Sequence, residues 1–106
     1  MIARVWRATA TADGAEKYRQ HFTESVLPEL QSLDGYRGAY LFRRDHDNHV
    51  ELEVMTLWES LDAIQRFAGA DVAIAVVEPA ARAVLTGFDA RVSHRNVVID
   101  TATGSC

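Results

Sequence analysis

Cysteine and lysine are almost missing from this chain. Cys106 ends it, and Lys17 is the only lysine among 106 residues. A lone cysteine closes no disulfide within the chain and cannot supply the several thiolates of a metal cluster. After Thr101, Ala102, Thr103, Gly104 and Ser105 it reads as an exposed thiol on a flexible tail, residues 101–106. Basic character is scarce too: 11 Lys and Arg stand against 15 Asp and Glu, a net charge of −4. The densest basic pair, Arg43-Arg44, is followed at once by Asp45 and Asp47. Nucleic-acid binders carry a clustered basic face, so no nucleic-acid partner is expected. Long apolar runs are also lacking. The longest, residues 72–77, falls far short of the ~20 that span a bilayer, and Arg4 and Arg7 interrupt any leader-like run. No membrane contact is expected, and the chain reads as cytoplasmic. The six glycines never fall in G-x-G-x-x-G spacing. No serine sits in a nucleophile-elbow context, which removes phosphate loops and hydrolase triads. His46-Asp47-Asn48-His49 lacks the scaffold of a metal site, so no metal is assigned.

What is present fits one domain, residues 1–100, followed by the tail. A chain of this length buries only about 60–70% of its unfolded surface, so a large interior cavity is costly for a lone copy. It is either a small binding module or a protein that builds its site with a second copy.

Periodicity supplies the elements. Residues 2–10 alternate, with Ile2, Arg4, Trp6 and Ala8 on one face. Asp13 then reads as an N-cap, with Glu16 completing a capping-box-like pair. Tyr18, Phe22, Val26 and Leu30 recur every fourth position, the stripe of an amphipathic helix that Pro28 kinks or ends. Asp34-Gly35 is a turn. Residues 36–43 and 50–58 are two alternating strands around a polar tip, an antiparallel hairpin. Ser60 caps a helix through Leu61, Ile64 and Phe67 that stops at Gly69. Asp71 caps an apolar turn at 72–77, Pro79 opens a short helical piece with Gly87 as its stop, and residues 88–99 form a last strand carrying His94. The order β-α-β-β-α-β is the ferredoxin-like α+β pattern. Right-handed crossovers place both helices on one side of a four-stranded antiparallel sheet. The other side keeps apolar groups such as Met55, Leu57 and Leu41, and an open apolar sheet face marks an interface.

Residues 56–69, Thr-Leu-Trp-Glu-Ser-Leu-Asp-Ala-Ile-Gln-Arg-Phe-Ala-Gly, resemble the strand–Trp–Glu–Ser–helix–Phe–Ala–Gly junction of the antibiotic biosynthesis monooxygenase family. This family lies within the dimeric α/β barrel superfamily. Residues 75–82 and 88–94 fit small bacterial members of it, and the resemblance covers about residues 1–99. It implies a homodimer whose two four-stranded sheets close one barrel, each subunit keeping a small pocket between sheet and helices. It also implies a monooxygenase that oxidises a small quinol- or polyketide-like aromatic with O2 and no metal, flavin or haem, the substrate's own anion supplying the electron. Such chemistry needs an apolar pocket, a group to hold the phenol or take its proton, and a donor for the oxyanion.

The candidate residues follow. His94 is the only strand histidine and the catalytic acid–base candidate, or else a satisfied core imidazole. Trp58, Phe67, Phe22 and Tyr40 are candidates for the pocket wall, against the alternative of plain core packing for the rings and a surface hydroxyl for Tyr40. Arg4 either holds an anionic group or is a solvated sheet-edge cation. His21 lies off the centre of its helix stripe. The alternative to an enzyme is a non-catalytic small-molecule-binding or scaffolding dimer of the same fold. Haem degradation, known in the superfamily, is disfavoured. That branch carries a tryptophan where this chain has Phe67 and a ligating histidine where it has Val77, which offers iron nothing.

Overall fold

The computed structural model describes residues 1–101; the tail beyond, with Cys106, lies outside the described residues. β1 (Ile2–Ala10) runs into α1 (Ala12–His21), a π-helical turn (Phe22–Val26) and α2 (Leu27–Gln31). The hairpin β2 (Tyr36–Asp45) and β3 (Val50–Trp58) follows, then α3 (Leu61–Ala68), α4 (Pro79–Arg82), β4 (Gly87–Phe88) and β5 (Ser93–Asn96). The antiparallel sheet has the order β2-β3-β1, with β4 and β5 both on the free side of β1. This is the ferredoxin-like arrangement the periodicity predicts. No helix among the described residues is long and apolar enough to cross a membrane.

Several boundaries match their local chemistry. The Ser60 hydroxyl accepts from Ala63 N–H, and α3 ends at Gly69 with φ 90°, a conformation glycine adopts without strain. Asp71 Oδ1 accepts from Ala73 N–H, and Pro79 lies in the first turn of α4.

Others need correction. Thr11, not Asp13, caps the first helix: β1 ends at Ala10, Thr11 stays extended, and its Oγ1 accepts from Gly14 N–H. Asp13 instead pairs with Lys17 and Glu16 with Arg19. Pro28 does not end the helix. The wider turn just before it, closed by Leu27 N–H on Phe22 C=O, carries the chain past the missing N–H and on to Gln31. Gly87 does not stop a helix but opens β4, opposite Thr9. The last strand is split. Three steps along β1, from Val5 to Ala8, match five along the partner, from Ser93 to Phe88. The extra residues swing outward to bond residues 73–75, through Val92 N–H on Ala73 C=O and Ala75 N–H on Ala90 C=O.

The core lies between sheet and helices in two clusters. Tyr18 and Phe22 pack on Ala8, Leu52 and Val54, while Leu30, Ala63 and Ile64 surround Trp58. The stripe read from the sequence is therefore the buried face.

Candidate functional site

Alternation along β1 aims Arg4 and Trp6 at the helices, and the same alternation along β3 aims Val54, Thr56 and Trp58 there. Tyr18, His21, Phe22 and Val26 descend from above, one helical face spread over consecutive turns. The irregular segment 72–78, tied to the split last strand, closes the side with Val76, Val77 and Glu78. Between them is a cavity of about 70 Å³. That is room for a few waters, and the cavity is open on one side, so a bound ring would project from it toward solvent.

Arg4 is the unusual wall residue. It is 5% exposed, and its side-chain partners are neutral. Nη1–H donates to Val72 C=O and faces His94 Nε2 at 3.2 Å, while Nη2–H donates to Ile74 C=O at 2.8 Å. The guanidinium carbon lies 5.8 Å from the Phe67 ring centroid. No carboxylate among the described residues pairs with it. Burial lowers its pKa to about 10, so it stays a cation at neutral pH.

The other candidates divide. Phe22 and Phe67 line the cavity with Arg4. Trp58 does not. It is fully buried, its Nε1–H donates to Thr56 Oγ1 at 2.8 Å, and its ring stacks behind Phe67 at 5.5 Å. Tyr40 lies on the opposite sheet face. A bulge between Tyr36 and Gly38 shifts the phase of β2, so Tyr36 packs edge-on against Trp58 while Tyr40 stacks on Phe42 outside. His94 stands directly across from Arg4 and does not line the cavity. Burial, then the charge of Arg4, holds its pKa below the ordinary 6.5. A neutral imidazole accepting at Nε2 suits that contact with Arg4.

Three further polar or aromatic residues line the cavity: Tyr18, whose hydroxyl the sequence offers as a possible phenol anchor beside Tyr36 and Tyr40, and Trp6 and His21, to which the sequence gives no such role. Trp6 shares the strand face of Arg4 and donates from Nε1 to Asp89 C=O. Tyr18 is buried, and burial first, then Glu78, pushes its hydroxyl well above the usual tyrosine range. His21 has a sealed Nε2 with no hydrogen-bond partner, 4.0 Å from Glu78 Oε2. Its i+3 spacing from Tyr18 was the available signal. At the far hairpin tip His46, His49 and Glu51 bring ligand atoms within 4.8 Å of one another. There His46 Nε2 already bonds Glu51 Oε1 at 3.0 Å.

The α+β layer thus walls a small, largely apolar cavity with a buried cation among its lining residues. The family model for antibiotic biosynthesis monooxygenases matches residues 1–93, and the chain belongs to that family. Three solved structures share the fold. A Bacillus cereus protein classed with the antibiotic biosynthesis monooxygenases is 16% identical, covering 95% of this chain and 96% of that one, with a TM-score of 0.66. A variant of MhuD with two manganese protoporphyrin IX bound per active site is 22% identical over 94% and 97%, TM-score 0.66. A variant of SnoaB, a cofactor-independent oxygenase from Streptomyces nogalater, is 21% identical over 95% and 96%, TM-score 0.61. No curated protein matches the chain.

Proposed function

We propose that this protein is a cofactor-independent monooxygenase that oxidises a small, single-ring aromatic with O2. The observation that carries the reading is the cavity itself, walled by Phe22, Phe67, Val54 and Val92 with the buried cation of Arg4 on one side. Family membership and the likeness to SnoaB support the chemistry. An electron-rich ring ionised beside a fixed cation gives up an electron to O2 more readily, and the same cation stabilises the oxyanion that forms. For a quinol the balance is one oxygen atom into the ring, giving a hydroxyquinone, and the other into water. A scaffolding role is the weaker reading, because Phe22 and Phe67 leave the cavity open and Trp58 stays out of it.

Haem does not fit these residues. Val77 lines the wall without a donor, and the cavity histidine His21 has its Nε2 sealed.

The working unit is a homodimer in a cytoplasmic setting. Its support is the outer sheet face, where Tyr40 and Phe42 stack at 5.7 Å beside Met55 and Leu57. Those two rings are 40% and 45% exposed, an apolar patch suited to a second copy. Oxygen uptake on a panel of single-ring hydroquinones tests the activity. Consumption above the autoxidation background is expected, and none would sink it.

A further inference from the structure

A guanidinium has five N–H donors in a rigid plane. On Arg4 three are used: two on Nη1, toward Val72 C=O and His94 Nε2, and one on Nη2, toward Ile74 C=O. The two that remain are Nε–H and the second Nη2–H, on adjacent nitrogens. Among the described residues the one sealed polar side-chain atom without a partner is His21 Nε2. Arg4 Nε also lacks a partner, so it opens to space that a water molecule enters. Arg4 is 5% exposed and is one of the residues that line the cavity.

We infer that the cavity seats its ligand through a carboxylate, gripped side-on by the Nε–H and Nη2–H of Arg4. Two parallel donors on adjacent guanidinium nitrogens match the two oxygens of a carboxylate, whereas a single oxyanion uses the fork poorly. A cation taken out of water without a counter-ion is strongly unfavourable, and a ligand carboxylate is the missing partner. The remaining ionisable groups at the cavity do not compete. Glu29 and Glu78 reach solvent, Tyr18 is held neutral, and the His21 Nε2 is sealed from contact. The walls beyond the fork are Phe22, Val54, Phe67 and Val92, so the rest of the ligand is apolar and about one ring in size. The substrate class is therefore a single-ring aromatic acid, a narrower class than the single-ring aromatics already proposed. This inference rests on the reading that the cavity is the substrate site, but it concerns binding alone.

Calorimetric titration of the intact protein with benzoate, its neutral isostere benzamide, and 4-cyanophenolate at alkaline pH tests it. Benzoate is expected to bind at least tenfold more tightly than either of the others. It should also shift the ¹⁵N-detected Nε–H signal of Arg4. Arg4→Lys, which keeps the charge and loses the fork, should weaken benzoate at least tenfold and narrow the preference for benzoate over benzamide. The comparison of ligands on the unaltered protein stands even if that variant folds poorly. Equal binding of benzoate and benzamide overturns the inference, as does phenolate binding as tightly as benzoate, or no benzoate binding at millimolar concentration. Oxygen uptake without a benzoate preference would remove the carboxylate and spare the oxygenase reading. Benzoate binding without any oxygen uptake would do the reverse.

Discussion

Arg4 on β1 and His94 on β5 stand directly opposite each other across the sheet, with Nη1 3.2 Å from Nε2. The imidazole is kept neutral by burial and by the arginine's charge. The pair is thus one proton short of repulsion, and its integrity depends on pH. The folded pKa lies below the unfolded value of about 6.5, so the unfolded chain binds the proton first on acidification. His94 contributes its stability above that value and loses it as pH falls through the folded pKa. Between pH 7.5 and 5 the urea midpoint should fall, and His94→Gln should flatten part of that fall. Parallel curves for both proteins would show that His94 is not the group responsible.

The Trp58 indole N–H is satisfied by Thr56 Oγ1 alone at 2.8 Å, inside a core where Trp58 is fully buried. Thr56→Val keeps the shape and strands the donor, which should cost about 1–3 kcal/mol. Trp58→Ala opens a large void and should cost about 3–5 kcal/mol. Urea unfolding measures both, and a neutral Thr56→Val would contradict the assigned bond.

Gly14 in α1 packs closely against the segment after α4. A Cβ there would lie 2.3 Å from the Val84 carbonyl oxygen. Backbone cannot yield as a flexible side chain can, so Gly14→Ala should destabilise by about 1–3 kcal/mol despite alanine's better helix propensity. A stabilised variant would mean that the segment after α4 sits elsewhere.

The outer sheet face gives the dimer its test. Phe42→Lys puts a charge at the centre of the stacked pair with Tyr40. Sedimentation should give twice 11.8 kDa for the parent chain and 11.8 kDa for the variant. A parent monomer at micromolar concentration would remove the barrel.

Much of this was legible before any coordinates. Alternation located β1 and β3, and Ser60 and Gly69 bracketed α3 by their own chemistry. The bulge at Tyr36–Gly38 was not legible, because three aromatics at even spacing read as one face, and one inserted residue reverses it. Nor was the fork of Arg4. Its carbonyl partners lie 68 and 70 residues away in a segment without periodicity, so only the closed fold turns a sheet-edge arginine into a buried cation. His94 shares the sheet face of Arg4 but stands beside it instead of in the cavity wall, a placement that strand alternation alone does not reveal. His21 was discounted because a stripe is read from apolar residues, and a histidine three places from Tyr18 belongs to the same face.

The central claim is that this cavity performs oxygenation with no cofactor. Chelator-treated protein incubated with ¹⁸O2 and single-ring hydroquinones, some bearing a carboxylate, measures it, with product mass read against a protein-free control. The account predicts one ¹⁸O atom in each product molecule, formed above the control rate and lost in Arg4→Lys. Product that forms at the control rate, or that carries no ¹⁸O, would contradict it.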